Sequence, residues 1–337
     1  MTFDDYINLL NADGELRTHL LENQLTDADI QQYVTEHSNV MLGYDLPLNL
    51  PLYRARYDSD NWIDKENCSQ YSYIQDAEGI RMFRYNLDGE QVLYTSTTPF
   101  IAFKEIENGS DKNVYISKWG KVHNEDNFSV CTAICREGIA ADSTAGKYLN
   151  IMRNNLRPDT FGQAEEMGNV LEADSIDGYE GYEGLNYRFS SAIASRLFQG
   201  CEALLTVSKK SDGQELNITF KRETVDTKLV IKAVYEIDAP SRHNNSILHV
   251  NRIGIPRNNR IEWHEWRINM DSFRLPSNHQ DQDLAAIRQI IENRNGRRFQ
   301  FALFPNINKE IDDFHQGIIV DNETGNRFYV EYEIDLL

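Results

Sequence analysis

The chain has 337 residues and carries 53 Asp and Glu against 34 Lys and Arg, a formal net charge of −19 at pH 7. This balance disfavours nucleic acid as the main partner, because phosphate binding needs a basic surface. No run approaches the ~20 apolar residues of a membrane span, so no membrane association is predicted. Four cysteines are too few for a disulfide scaffold, and the N-terminal residues are acidic where a signal peptide is basic. We therefore expect a cytoplasmic protein.

The acidic charge is concentrated in the first two thirds of the chain. Residues 1–225 contain 20 Lys and Arg against 36 Asp and Glu, whereas residues 226–337 contain 14 against 17. This asymmetry predicts two regions with different surfaces. Together with the patterns below, it divides the chain into a helical N-terminal segment (1–45), a central domain (46–225) and an accessory domain (226–337).

The N-terminal segment has helical periodicity. Thr26 and Asp29 form an acidic variant of a capping box, and the apolar residues that follow share one helical face. Short helices are therefore predicted within residues 3–41, and we expect them to pack against the main domain, with binding of a partner as the alternative.

Strand-like runs dominate from Leu46 onward. They are Leu52–Tyr57, Ile80–Tyr85, Gln91–Ser96, Val114–Trp119, Phe128–Cys135, Ala203–Ser208 and Glu215–Lys221. Two helices are predicted among them, Pro99–Glu107 with a proline in its first turn and Tyr187–Gln199 with apolar residues at helical spacing. The Asp212-Gly213 pair between the last two runs indicates a hairpin.

The region after residue 225 is also rich in strand-like runs. They are Lys228–Asp238, Ile247–Ile253, Arg260–Ile268, Arg298–Phe304, Gly317–Asp321 and Arg327–Ile334. One amphipathic helix, Asp281–Asn293, interrupts them. This pattern predicts a mostly β accessory region and an α+β class for the whole chain.

One segment approaches the phosphate-binding loop pattern. Ala141–Tyr148 ends in Gly146-Lys147-Tyr148, so a tyrosine replaces the hydroxyl residue that would hold Mg²⁺. Asp142 would also repel phosphate. We therefore disfavour a nucleotide site of this kind.

Four short blocks carry the clearest functional pattern. They are Leu52–Arg56 (LYRAR), Arg84–Gly89 (RYNLDG) with Leu93–Ser96 (LYTS), Thr98–Glu105 (TPFIAFKE), and Tyr187 with the helix after it, followed by Leu204–Ser208 (LLTVS) and Leu216–Ile218 (LNI). In their order and their strand or helix context, these blocks resemble the RES domain family, named for its Arg, Glu and Ser. Members of that family cleave NAD⁺ and often act as toxins.

The resemblance covers roughly residues 46–225 and implies a fold related to ADP-ribosyltransferases, without a Rossmann unit. It implies catalytic roles for Glu105, Arg54 and Ser208, and substrate contacts by Tyr94, Arg56 and Arg84. Glu105 would stabilise an oxocarbenium-like ribose, and Arg54 would bind the diphosphate with Arg56 or Arg84 as helpers. Tyr94 would stack on nicotinamide or orient it, and Ser208 would bond to phosphate or ribose. Ser208 follows Thr206-Val207 where the family has Tyr-Pro, so Ser190 and Ser191 remain alternatives for the serine.

The implied function is cleavage of the nicotinamide–ribose bond, by hydrolysis or phosphorolysis, in a growth-arresting bacterial toxin. NAD⁺ is then a substrate, and neither a cofactor nor a metal is expected. An antitoxin or immunity protein that restrains the activity is an expected partner, and self-association into a homo-oligomer stays open. Two alternatives remain, an ADP-ribosyltransferase that modifies a macromolecule and a non-catalytic binding module on the same fold.

Overall fold

The computed structural model describes residues 43–46, 50–58, 64–106, 112–133, 139–155, 187–237, 250–293, 299–304 and 315–337. Within them the fold mixes α and β structure, with a large mixed sheet and few helices, which agrees with the predicted α+β class. The helices predicted within residues 3–41 lie outside the described residues.

Strands make up most of the regular structure in this part of the chain. The helices are α1 (Pro99–Ile106), α2 (Thr144–Asn155), α3 (Arg188–Phe198), α4 (Arg222–Lys228) and α5 (Leu284–Glu292). The strands are β1 (Gly43–Leu46), β2 (Leu52–Tyr57), β3 (Val92–Ser96), β4 (Val114–Lys121), β5 (Phe128–Ala133), β6 (Ala203–Val207), β7 (Leu216–Lys221), β8 (Leu229–Ile237), β9 (Val250–Arg257), β10 (Arg260–His264), β11 (Trp266–Arg274), β12 (Phe299–Phe304), β13 (His315–Asp321) and β14 (Arg327–Leu336). Short 3₁₀ helices occur at Cys68–Tyr71, Ala77–Gly79 and Lys209–Ser211.

Two compact units are interleaved along the chain. Unit 1 comprises Met1–Leu48, Tyr73–Tyr94 and Val122–Lys228, and unit 2 comprises Asn49–Ser72, Thr95–Lys121 and Leu229–Leu337. The boundary after residue 228 lies close to the predicted start of the accessory domain, while residues of the central region contribute to both units. The division into three domains stays a prediction.

Unit 1 is organised around β5, β6 and β7. Strands β5 and β6 run parallel, whereas β1 pairs with β5 and β6 pairs with β7 in antiparallel fashion. The β6–β7 pairing confirms the predicted hairpin, and both Asp212 and Gly213 in its turn have positive φ, 51° and 79°. The helix predicted at Tyr187–Gln199 is α3.

Unit 2 contains an antiparallel succession of strands, β2-β4-β8-β9-β10, and a second antiparallel sheet of order β11-β14-β13-β12. Helix α5 begins after Asp283, whose carboxylate accepts hydrogen bonds from the N–H groups of Ala285 and Ala286. Its apolar face, Ile287, Ile290 and Ile291, is buried, as the sequence periodicity predicts.

The hydrophobic core of unit 2 occupies one face of the β2-β4-β8 strands. It includes Tyr53 and Ala55 of β2, Val114 and Ile116 of β4, and residues of α1, α5, β13 and β14. Successive side chains of a strand point to opposite faces. The residues that alternate with these core positions therefore lie on the other face of the same strands.

Two predicted strands differ from the structure. Ile80–Tyr85 is wrong as a strand, because Arg84 and Tyr85 form a turn closed by backbone hydrogen bonds between Phe83 and Asn86. Polar side chains replace ladder bonds here: Asp88 accepts the Met82 N–H. Arg260–Ile268 is two strands rather than one, since β10 ends at His264 and β11 begins at Trp266.

Candidate functional site

The predicted residues Arg54 and Arg56 lie on the polar face of unit 2. Both are half-buried on β2, and they alternate with the core residues Tyr53 and Ala55, so they project from the face opposite the core. The shared face that the sequence predicts for the two arginines is thus present. The 3₁₀ helix Cys68–Tyr71 covers this face, because Arg56 Nη1 donates a hydrogen bond to the Gln70 carbonyl.

A row of polar side chains crosses four adjacent strands on this face. Arg56 of β2 pairs in register with Tyr115 of β4, Tyr115 with Glu236 of β8, and Glu236 with Arg252 of β9. Paired residues of neighbouring strands place their side chains side by side. We call these four residues the polar row.

Glu236 is the central anion of the polar row. Its side chain is 8% exposed, and its carboxylate accepts hydrogen bonds from Tyr115 Oη at 2.7 Å, Arg252 Nε at 2.6 Å and Arg252 Nη2 at 3.1 Å. Burial alone raises the pKa of this carboxyl, but the hydrogen bonds from Arg252 and Tyr115 outweigh it and leave the pKa below its ordinary value. Glu236 is therefore a fixed negative charge at neutral pH.

Aromatic rings enclose the centre of the polar row. The Tyr115 ring contacts Tyr71 at 6.1 Å and Trp263 at 5.8 Å between centroids, and the Arg252 guanidinium lies 5.0 Å from the Trp263 centroid. Burial raises the pKa of Tyr71 and of Tyr115 far above the ordinary value for tyrosine. Both phenols therefore act as neutral hydrogen-bond donors.

The second group of predicted residues forms a turn in unit 1. Tyr94 Oη donates a hydrogen bond to Asn86 Oδ1 at 2.8 Å and accepts one from the Tyr85 N–H at 3.1 Å. Asn86 is buried, and its amide donates to the carbonyls of Arg81 and Leu87. The RYNLDG and LYTS parts of this block are therefore joined by hydrogen bonds.

Two further features hold this turn. Gly89 has φ of +78°, a conformation that a residue with a side chain adopts only with strain, which explains the glycine of the block. Glu90 accepts the Leu87 N–H at 2.8 Å and the Ser195 hydroxyl of α3 at 2.6 Å. Arg84, half-buried, places its guanidinium 5.8 Å from the Tyr85 ring centroid.

Glu105 is exposed in the last turn of α1. This helix buries Ala102 and Phe103 in the core, on the side of β2 that carries Tyr53 and Ala55. Arg54 and Arg56 project from the opposite face of that strand. The structure therefore brings the two arginines together on one face of unit 2 and leaves Glu105 with the helix on the other.

The three candidate serines are buried in unit 1. Ser208 precedes the 3₁₀ helix Lys209–Ser211 and caps it, since its Oγ accepts the Lys210 N–H at 3.2 Å. Ser190 and Ser191 lie in the first turn of α3, where Ser190 Oγ lies 3.4 Å from the Tyr187 carbonyl. Ser208 thus has a local structural role whatever else it does.

The segment that approaches a phosphate-binding loop is the start of α2. Here the N–H of Gly146 bonds to Ser143 Oγ, the N–H of Lys147 to the Ser143 carbonyl, and the N–H of Ala145 to the Gln214 carbonyl. These N–H groups are satisfied within unit 1.

Sequence reasoning missed the residues that accompany Arg56. Glu236 stands in the otherwise apolar and buried end of β8, AVYEI, and a carboxylate in such a run is the signal that could have identified a buried polar contact. Its partners could not be found in the same way. Tyr115 and Arg252 are identified only by the register of strands far apart in sequence.

None of the helices in the described ranges is long and apolar enough to cross a membrane. No family model matches the chain, and the search of curated proteins finds no match to it.

Proposed function

We propose that this chain binds NAD⁺ and breaks its nicotinamide–ribose bond, with water or phosphate as the acceptor. The observation that carries the proposal is the hydrogen bond between Asn86 and Tyr94. It joins the RYNLDG and LYTS parts of one of the blocks that resemble the RES family, and Gly89 of that block occupies the conformation that favours glycine. Such a hydrogen-bonded turn holds the Tyr94 side chain in one orientation, as a binding site requires.

The arginines supply the diphosphate-binding part of the proposed site. Arg54 and Arg56 share a half-buried face, where a guanidinium can offer paired donors to phosphate oxygens. Burial lowers the pKa of Arg56, but an arginine stays charged at neutral pH. Local arginines of this kind are needed because residues 1–225 carry a large excess of acidic groups.

In unit 2 Glu105 is the residue proposed for the ribose, and in unit 1 Tyr94 is the residue proposed for nicotinamide. A carboxylate stabilises the positive charge that develops on ribose as the bond breaks. Glu105 is exposed, but its helix packs on the face of β2 opposite Arg54 and Arg56, so its assignment to the ribose rests on the sequence resemblance and not on this geometry. The Tyr94 hydroxyl is engaged by Asn86 and by the Tyr85 N–H. Tyr94 would therefore contact nicotinamide through the face of its ring. Ser208 would bind a phosphate or ribose oxygen.

In the cell, we propose a cytoplasmic growth-arresting toxin held in check by an antitoxin or immunity protein. Uncontrolled loss of NAD⁺ would stop the growth of the cell that makes the toxin, so the activity must be restrained. The acidic balance of residues 1–225 suits a partner with a basic binding surface.

The test is incubation of the purified chain with NAD⁺, followed by chromatographic measurement of free nicotinamide, with and without phosphate. Glu105→Gln keeps the size of the side chain and removes its charge, so we expect nicotinamide release to fall by roughly two orders of magnitude. Glu292→Gln is the matched control, because Glu292 is also an exposed glutamate in the last turn of a helix of unit 2.

The outcomes separate the functions. Release of nicotinamide without ADP-ribose attached to any protein supports hydrolysis or phosphorolysis. Release of nicotinamide with ADP-ribose attached to a protein supports the transferase alternative. Intact NAD⁺ after long incubation overturns the proposal. Equal turnover by Glu105→Gln and Glu292→Gln overturns the role of Glu105.

A further inference from the structure

The polar row connects Arg56 to a buried anion two strands away. Glu236 holds Tyr115 through the 2.7 Å bond to its hydroxyl, and Arg252 closes the other side of the carboxylate with two donors. Tyr115 is fully buried and pairs directly with Arg56 in the register of β2 and β4. The orientation of the Tyr115 side chain is therefore set by Glu236.

Tyr115 in turn supports the segment that covers Arg56. Its ring contacts Tyr71, the last residue of the 3₁₀ helix, and Tyr71 Oη donates to the Lys65 carbonyl at 2.6 Å. The Lys65 ammonium lies 5.4 Å from the Tyr115 ring centroid and pairs with Asp58 at 2.5 Å. The carbonyl of Gln70, next to Tyr71, accepts the hydrogen bond from Arg56.

We propose that Glu236 is a positioning residue for Arg56, acting through Tyr115 and the Cys68–Tyr71 helix. The inference rests on the proposed function, in which Arg56 contacts the diphosphate of NAD⁺. Glu236 fixes the ring that supports this helix, and the helix carbonyl holds the guanidinium of Arg56 in one direction. Glu236 does not touch the substrate.

A purely stabilising role is a poor explanation for this carboxylate. Taking Glu236 and part of Arg252 out of water carries a desolvation cost that the attraction between them must first offset. Apolar residues of similar volume would fill the space without that cost. The carboxylate of the ion pair also accepts a hydrogen bond from the Tyr115 hydroxyl. This bond fixes one orientation of Tyr115, which apolar packing would not do.

The test measures KM and kcat for NAD⁺ in Glu236→Gln and Tyr115→Phe. A misdirected Arg56 weakens binding of the diphosphate in both the ground state and the transition state, so we expect KM to rise roughly tenfold while kcat changes less than about twofold. The same substitution is then made in an Arg56→Ala background. There we expect no further rise in KM, because the residue being positioned is gone.

Glu331→Gln is the matched control, because Glu331 also pairs across strands with an arginine, Arg274, at 2.8 Å in unit 2. It should leave KM unchanged. If Glu236→Gln does not fold, Tyr115→Phe decides, since it keeps the carboxylate paired with Arg252. If the wild type is active and the variants leave KM unchanged, the role of Glu236 is overturned while the proposed function stands. A rise in KM that persists in the Arg56→Ala background has the same meaning. An inactive wild type overturns the proposed function and, with it, the role of Glu236.

Discussion

At the scale of single residues, the hydrogen bonds of Tyr94 define what its side chain can contribute. The hydroxyl gives its proton to Asn86 and accepts the Tyr85 N–H, while Asn86 itself is almost completely buried. A hydroxyl engaged in this way is a structural group. The role in a reaction then falls to the ring, which a phenylalanine would retain.

Tyr94→Phe should therefore destabilise the protein while preserving turnover. Removing the hydroxyl leaves the buried Asn86 oxygen without its donor, which we expect to lower the free energy of unfolding by about 1–3 kcal/mol. Chemical denaturation measures this change. Tyr329→Phe is the control, because Tyr329 is 41% exposed. A similar small loss in both variants, or a large loss of nicotinamide release at a temperature where Tyr94→Phe is folded, would contradict this division of roles.

At the scale of secondary-structure elements, local sequence pattern predicts most of unit 2. Short runs rich in apolar and aromatic residues identify β2 and β4, and helical spacing identifies α5, because each element contributes side chains to the same core. The pattern failed at Ile80–Tyr85, where side chains of Asn86 and Asp88 bond to the local backbone and replace a strand partner.

The polar row shows why the site was only partly predictable. Arg54 and Arg56 were singled out because the LYRAR block resembles the opening strand of the RES family, and their spacing of two positions on one strand predicts a shared face. Glu236 lies 180 residues after Arg56, as their numbers in the sequence show, and only strand register brings the two into one row. Register is set by tertiary packing, so no local pattern reports it.

The 3₁₀ helix after β6 gives a prediction for the serine. Ser208→Ala removes the cap on Lys210, and we expect the free energy of unfolding to fall by about 1 kcal/mol. Ser190→Ala should cost less, because the Ser190 bond to Tyr187 is long at 3.4 Å. Nicotinamide release is then compared under conditions in which the same fraction of each variant is folded. This comparison distinguishes a structural role of each serine from a functional one. If Ser190→Ala loses turnover and Ser208→Ala keeps it, Ser190 is the functional serine.

At the scale of the whole molecule, acidic charge dominates the response to pH. The chain carries an excess of 19 negative charges, so protonation of surface carboxylates relieves repulsion as the pH falls from neutrality. Glu236 acts in the opposite direction. Its pKa is lowered in the folded state, so the unfolded chain binds its proton more readily, and acid removes the stabilisation that the charged form provides.

Comparison of wild type with Glu236→Gln isolates this contribution, because relief of surface repulsion is common to both proteins. Stabilisation by ionised Glu236 is fully present above the ordinary glutamate value of 4.5 and is lost as the pH falls through the lowered folded value. We therefore expect the wild type to be the more stable near neutrality and its advantage to shrink below about pH 4.5. Urea unfolding between about pH 7 and about pH 3.5 measures the difference at each pH. An advantage that stays constant across this range, or grows in acid, would show that Glu236 is not the ionised anchor of the polar row.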